Sequence, residues 1–338
     1  MILFDFDYER PATLEEAATL LARLGDEARF VAGGTDLLPN MRAELVKPGV
    51  LVSLGAIEPV APRTLEDGTL RIDALERLAS LAQSPVIARH APIICESALA
   101  VGSNQIRQMG TLGGNLCQDT RCLQFNQRHD YQFAAPCYKR GGECCYPFPQ
   151  NSQGTCWSVY MSDVAPALVA LDASLEILGE AGARRIGVEE LFTGDGMQPF
   201  GLGGAALIRA VIVPAARQRS GWGFYKATLR GGLEFGMAVV AVTLQLAADG
   251  STCEDARIVI GAVRERPVRA LATERALAGA ALDGDRLAKA AAEAAREVSP
   301  LPHHGFSKRY LIDAITVHLG RTLARALQRA RGRESGIA

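Results

Sequence analysis

From Leu14 to Leu24 apolar residues recur with a helical period (LEEAATLLARL), and Thr13 stands where an N-cap belongs. The pattern predicts an amphipathic helix over residues 12–24. The period then changes. Residues 28–32 (ARFVA) and 50–54 (VLVSL) read as strands, each broken by glycine, at Gly33-Gly34 and at Gly55. Residues 69–82 read as a strand passing into a helix, and the apolar stretch 85–100 as a helix ending near Gly102. This alternation places the first part of the chain among α/β or α+β folds. Further on, residues 164–171 form a helix that tolerates Pro166 in its first turn. Strands are predicted at 236–247 and 257–263, then helices at 271–281, 284–297 and 309–331. A boundary near residue 218 divides the chain in two, as 338 residues suggest.

One stretch has neither period. Between residues 117 and 156 the chain mixes Arg, Gln, aromatics, Gly and Pro, and holds six of the eight cysteines: Cys117, Cys122, Cys137, Cys144, Cys145 and Cys156. A loop that long inside a compact domain needs a reason to stay ordered, and thiols this dense suggest a metal or iron–sulfur site. Zinc ligands usually come as closely spaced pairs; here the one adjacent pair, Cys144-Cys145, cannot easily share a tetrahedral ion. The CxxCxxC run of small ferredoxins is missing too. One cysteine from each separated position leaves Cys122, Cys137, Cys145 and Cys156, with gaps of 15, 8 and 11, a set suited to a [4Fe–4S] cube. Cys95 and Cys253 lie in apolar surroundings and read as inert core residues.

Charge narrows the choice of partners. With 36 basic and 37 acidic residues, the net charge of −1 argues against an electrostatic nucleic-acid or membrane binder. The acidic N-terminal stretch is unlike a signal peptide, and no apolar run approaches the roughly 20 residues of a spanning helix. These features predict a cytoplasmic protein, where reduced thiols are free to bind metal and structural disulfides are the weaker reading.

Two glycine turns are candidate anion sites. In Val31-Ala-Gly-Gly-Thr-Asp-Leu-Leu38 glycines let backbone N–H groups converge, and Thr35 adds a hydroxyl. The spacing is neither GxGxxG nor GxxxxGK[ST], and an ordinary turn before a helix explains it as well. Gly110-Thr-Leu-Gly-Gly-Asn115 offers a similar set. Two such loops about 80 residues apart say more together, because a pyrophosphate has two phosphates to hold. Asp163 precedes a helix and reads equally as its N-cap, and Lys226 as an exposed strand lysine. His90, His129, His303, His304 and His318 show no ligand spacing and receive no role; no nucleophile triad stands out.

Together AGGTDLLPNMR (32–42), TLGGNLCQDTRC (111–122), SDVAPALVALDA (162–173), FYKATLR (224–230) and GAVRERPVRA (261–270) resemble the flavoprotein subunits of molybdenum hydroxylases. That group includes the FAD domain of xanthine dehydrogenases and the medium subunit of carbon monoxide dehydrogenase. The resemblance covers nearly the whole chain. The cysteine insertion is similar to that of the FAD (beta) subunit of 4-hydroxybenzoyl-CoA reductase, which carries an additional [4Fe–4S] cluster. The periplasmic aldehyde oxidoreductase FAD subunit has one too, but NLCQDTRC and DVAPAL fit the benzoyl-CoA type better.

The resemblance implies an α+β fold. A two-lobed FAD-binding domain of the vanillyl-alcohol-oxidase (PCMH) type would occupy residues 1–217, with an iron–sulfur insertion at 117–160. A smaller sheet-plus-helices domain, CO dehydrogenase flavoprotein-like, would follow at 218–330. By the same resemblance FAD would be held by Val31, Ala32, Gly33, Gly34, Thr35, Asp36, Leu37 and Leu38, and by Thr111, Gly114 and Asn115. Val101 and Ile208 would give apolar contacts, and Asp163 and Lys226 polar ones. Cys122, Cys137, Cys145 and Cys156 would bind the cluster, with Cys144 the alternative third ligand. No catalytic residue is assigned, because the chain is implied to relay electrons. Its partners would be a small [2Fe–2S] subunit and a large molybdopterin subunit in a dimer of heterotrimers, with a ferredoxin-type electron donor. The implied function is electron transfer in a molybdenum-dependent 4-hydroxybenzoyl-CoA reductase-like complex that removes a phenolic hydroxyl. The alternatives are a subunit of an aldehyde or N-heterocycle (xanthine dehydrogenase-like) oxidoreductase, and a zinc-stapled binding module without redox chemistry.

Overall fold

The computed structural model describes residues 3–127, 135–151, 153–179, 182–203 and 206–332; His129 lies outside them. Three sheets organise the chain. The first is parallel, in the order β1 (Asp7–Glu9), β3 (Val50–Ser53), β2 (Ala28–Val31), with Val31 opposite Ser53. Helix α1 (Leu14–Leu24) follows the expected period: it buries Leu14, Ala17, Ala18 and Leu21, and the Thr13 hydroxyl accepts from the Glu16 N–H at its start. The second sheet is antiparallel, in the order β4 (Arg63–Thr64), β5 (Leu70–Asp73), β8 (Leu207–Val213), β6 (Ser174–Gly179), β7 (Gly182–Gly187). Strands β6 to β8 lie in a stretch that the periodicity leaves unassigned.

Short helices α2 (Leu37–Arg42), α3 (Leu78–Gln83), α4 (Pro85–His90), α5 (Pro92–Leu99), α6 (Asn104–Met109), α7 (Leu112–Leu116) and α8 (Ala165–Ala170) connect the strands of the first region. The single helix expected over 85–100 is two. Ala91 sits at φ −146°, ψ 66°, because the residue before Pro92 is driven out of the helical region and Pro92 brings no N–H.

The third sheet, in the order β12 (Val268–Arg269), β11 (Cys253–Gly261), β10 (Ala238–Leu246), β9 (Ser220–Ala227), is antiparallel and buried on both faces. Alternation along β10 shows how. Val239 and Ala241 join the core of the first region, whereas Val240 and Val242 join a core shared with α9 (Leu271–Leu277), α10 (Gly284–Glu297) and α11 (Lys308–Ala330). Two buried faces explain why the strand reads as a continuous apolar run. Helix α11 lies directly on β9: a Cβ at Gly221 would stand 1.9 Å from the Ala326 carbonyl oxygen, so only glycine fits. The core that crosses from α8 onto β10 and β11 fixes the third sheet against the first region. Cys95 and Cys253 are buried in these cores, and burial pushes both thiols up to about 11.

Candidate functional site

Strand β2 ends at the first glycine loop, and α6 delivers the second. The two loops touch. A Cβ at Gly33 would stand 2.0 Å from the Met109 carbonyl oxygen, and one at Gly110 would stand 3.4 Å from the Thr35 hydroxyl. Gly34 adopts φ +68°, a left-handed turn that leads the chain into α2. At the other loop the Thr111 hydroxyl accepts from the Gly114 N–H at 3.1 Å and opens α7, while its own hydrogen remains available to a ligand.

Between the loops lies a cleft of ≈ 410 Å³. Val31, Ala32, Gly33, Gly34, Thr35, Asp36, Leu37, Thr111, Gly114 and Ile208 all lie on its wall. Its other side is apolar, built from Pro199, Phe200, Leu202 and Leu207. Sequence reasoning missed that side, since nothing in the local pattern of those residues distinguishes them from ordinary loop and strand positions.

Leu38, Val101, Asn115, Asp163 and Lys226 are not on that wall. Leu38 packs beneath Gly34. The other four form a connected group. The Ser162 hydroxyl donates to Asn115 Oδ1 at 2.6 Å and also accepts from the Ala165 N–H, so Ser162, not Asp163, caps the start of α8. Asp163 is thereby free to meet Lys226, whose Nζ donates to Asp163 Oδ2 at 2.7 Å and to the Ala100 carbonyl, beside Val101, at 2.9 Å. Lys226 is therefore not an exposed strand lysine: its side chain is 9% exposed and that of Asp163 is 6%. Burial pushes the Asp163 carboxyl up to about 6, with Lys226 pulling the other way. Asp163 Oδ1 is buried and, among the described residues, meets no donor, which leaves an acceptor for a bound N–H group.

The cysteine stretch leaves the flavoprotein-like frame at a narrow neck, where Arg121 and Val159 exchange two backbone hydrogen bonds of 2.7 and 2.9 Å. Beyond it, Cys122, Cys137, Cys144, Cys145 and Cys156 line one small cavity, screened by the Phe148–Trp157 edge contact. Backbone contacts set each thiol in place: the Asn126 side chain accepts from the Cys122 N–H, the Tyr138 N–H donates to the Cys144 carbonyl, and Asp195 accepts from the Cys156 N–H. Burial raises the thiol pKa of Cys145, and so does the proximity of Cys156, Cys122 and Cys137. Cys144 instead points at the Pro136 carbonyl, and Cys117 lies on the wall of the glycine cleft. All eight cysteines are free. Among the described residues no three His, Cys, Asp or Glu side chains converge on one metal ion. A further cavity of ≈ 140 Å³, between α4, α5 and β9 to β11, holds none of the residues to which the sequence gives a role; His90 is on its wall.

A cleft between two glycine turns, backed by apolar side chains, suits an elongated diphosphate cofactor, and the orphaned Asp163 acceptor, off the cleft wall, suits an N–H-bearing group. Comparison with known proteins gives that class a definite form. Residues 4–216 match the FAD binding domain in molybdopterin dehydrogenase, and residues 223–326 match the CO dehydrogenase flavoprotein C-terminal domain. The chain is 32% identical to the aldehyde oxidoreductase FAD-binding subunit PaoB of Escherichia coli over 80% of its length and 86% of that protein's. It is 29% identical to the 6-hydroxypseudooxynicotine dehydrogenase complex subunit alpha of Paenarthrobacter nicotinovorans, over 96% of each chain. In solved structures it is similar to a chain of the cyanide-inactivated Cu,Mo-CO dehydrogenase, with a TM-score of 0.78, 28% identity, and coverage of 97% of this chain and 100% of that one. The chain belongs to the FAD-binding medium subunits of the molybdenum hydroxylase family. It is an oxidoreductase subunit with the α+β flavoprotein fold. Among the described residues no helix is long and apolar enough to cross a membrane.

Proposed function

We propose that this chain carries FAD and a [4Fe–4S] cluster as the electron-relay subunit of a molybdenum hydroxylase that oxidises an aldehyde or an N-heterocycle. The carrying observation is the cavity where Cys122, Cys137, Cys145 and Cys156 meet, close to a cleft of the FAD-binding type. Four cysteines brought from separated positions onto one cavity suit a cube, whereas zinc ligands usually come as closely spaced pairs. FAD, when bound, exchanges electrons singly or in pairs. The backbone of both glycine loops, with the Thr35 and Thr111 hydroxyls, would hold its diphosphate. Asp163 Oδ1 would be available to accept from an N–H group of the cofactor, while Lys226 ties Asp163 to the Ala100 carbonyl beside Val101. Phe148, Trp157 and Tyr138 give the thiol cavity an aromatic wall.

The flavin domain occupies residues 1–217, with the insertion at 117–160, and the second domain residues 218–330. Partners are a small [2Fe–2S] subunit and a large molybdenum subunit, and the setting is cytoplasmic, where thiols stay reduced and can bind metal. The substrate class follows the relatives named for aldehyde and pyridine-type substrates. A second reading, reductive dehydroxylation of 4-hydroxybenzoyl-CoA, is favoured by the NLCQDTRC string at the head of the insertion. Assay of the assembled complex separates the two. We expect oxidation of aromatic aldehydes or N-heterocycles with an artificial acceptor; turnover of 4-hydroxybenzoyl-CoA with a low-potential donor, and of neither oxidisable class, would select the second.

The ligand set has its own test. Cys145→Ser will abolish the iron content and the broad absorbance near 400 nm, while Cys144→Ser will keep about four irons per chain. The opposite outcome reassigns the third ligand, and colourless protein with one or two zincs removes the relay reading altogether.

A further inference from the structure

We infer that Lys139 is a positioning residue common to both sites, setting the charge felt at the thiol cavity and bracing the first glycine loop. The inference rests on the [4Fe–4S] reading above. Among the described residues that line the thiol cavity, Lys139 alone bears a fixed charge. Its side chain is 8% exposed and its Nζ lies 4.7 Å from the centre of the Phe125 ring. Nζ donates to Asp119 Oδ1 at 2.5 Å and to the Thr120 hydroxyl at 2.7 Å.

Hydrogen bonds run from this ammonium in two directions. Toward the sulfurs, the Thr120 hydroxyl meets Ser158 Oγ at 2.5 Å, and Ser158 Oγ lies 3.2 Å from the Cys156 sulfur, to which it would donate once that sulfur is a ligating thiolate. Toward the cleft, the Asp119 N–H donates to Asp36 Oδ2 at 3.0 Å, and Arg121 pairs with the other oxygen of Asp36. The Asp36 carboxylate, in the middle of the first glycine loop, is therefore committed to the insertion and not to a ligand. One chain of contacts thus joins a cluster thiol to the loop that walls the cleft.

Physical consequences follow for each end. Cluster potentials respond to net charge, to hydrogen bonds near the sulfurs and to exposure. A buried cation favours the state with the extra electron, so Lys139 raises the reduction potential while Asp119 partly offsets it. At the cleft, Asp119 holds Asp36, and Lys139 holds Asp119.

Purified complexes carrying K139M, K139R and D119N test this by redox titration of the cluster's electron-paramagnetic-resonance signal and by fluorescence titration with FAD. K139M will move the midpoint to more negative potential and raise the FAD dissociation constant about threefold to tenfold, the loss of roughly one hydrogen bond. K139R will retain both values. D119N will also weaken FAD, but will move the midpoint the other way, a sign reversal that a merely structural role would not produce. An iron-loaded K139M complex with an unchanged midpoint overturns the inference. If K139M takes up no iron, D119N decides: a negative shift there overturns it and a positive one supports it. Wild-type complex without iron would instead defeat the cluster reading, and this inference with it.

Discussion

Replacing Asp163 with alanine will destabilise the folded chain by about 3–5 kcal/mol, because it strands the Lys226 ammonium in a buried site without its counter-charge. The pair joins three distant segments: the approach to α8, the turn after α5, and β9 of the second domain. Urea unfolding of the purified protein measures the cost. The double variant D163A/K226M will recover most of it, since no orphan charge then remains. A double variant as unstable as D163A would show that the pair contributes nothing specific.

The same carboxyl predicts a pH effect of known sign. Its pKa is about 6 in the fold against an ordinary value of 3.8, so the folded state binds the proton more tightly than the unfolded one. The stability from this proton is fully present below 3.8 and is lost as pH rises through 6. Wild type will therefore lose stability relative to D163N between about pH 4 and 7. A difference that moves in wild type's favour over that range would refute the assignment.

Gly33→Ala will weaken FAD binding about 10- to 100-fold, the scale of a steric insertion costing 1–3 kcal/mol. The new Cβ would overlap the Met109 carbonyl oxygen at 2.0 Å, and both partners in that contact are backbone. The loops must separate to relieve it, and the cleft between them loses its shape. Gly49→Ala is the control, with its nearest neighbour at 3.9 Å, and will bind FAD like wild type. Flavin-to-protein ratio and fluorescence titration read the result; equal affinity for both variants would show that the loop contact does not shape the site.

Local signals were legible wherever local chemistry decides structure. The helical period from Leu14, the Thr13 cap and the glycine breaks at 33–34 each depend on a few neighbouring residues, and the fold keeps them. Ala91-Pro92 shows the limit of periodicity: the apolar pattern runs straight through a backbone break that proline enforces. The commitments of Asp36, Asp163 and Lys139 were not legible. Asp36 meets groups 83 and 85 residues away, and Asp163 meets a lysine 63 residues on, so no window along the chain contains both partners. The choice between Cys144 and Cys145 was open for a related reason. Both line the thiol cavity, and spacing along an irregular loop cannot tell which of two adjacent side chains would serve; contacts such as that of Cys144 with the Pro136 carbonyl are set by the folded loop.

The neck at Arg121 and Val159 bears on how such a protein could arise. Because the two strands of the neck already lie side by side, everything beyond them is an appendage whose ends need no spanning. Lengthening a closed loop costs little, about 0.6 kcal/mol for each doubling. A loop of this kind can be gained or lost in a single insertion or deletion with the nucleotide-holding frame left intact. On the proposed reading the iron–sulfur site is an annex to a frame already built for FAD, and Asp36 is where the two are tied together.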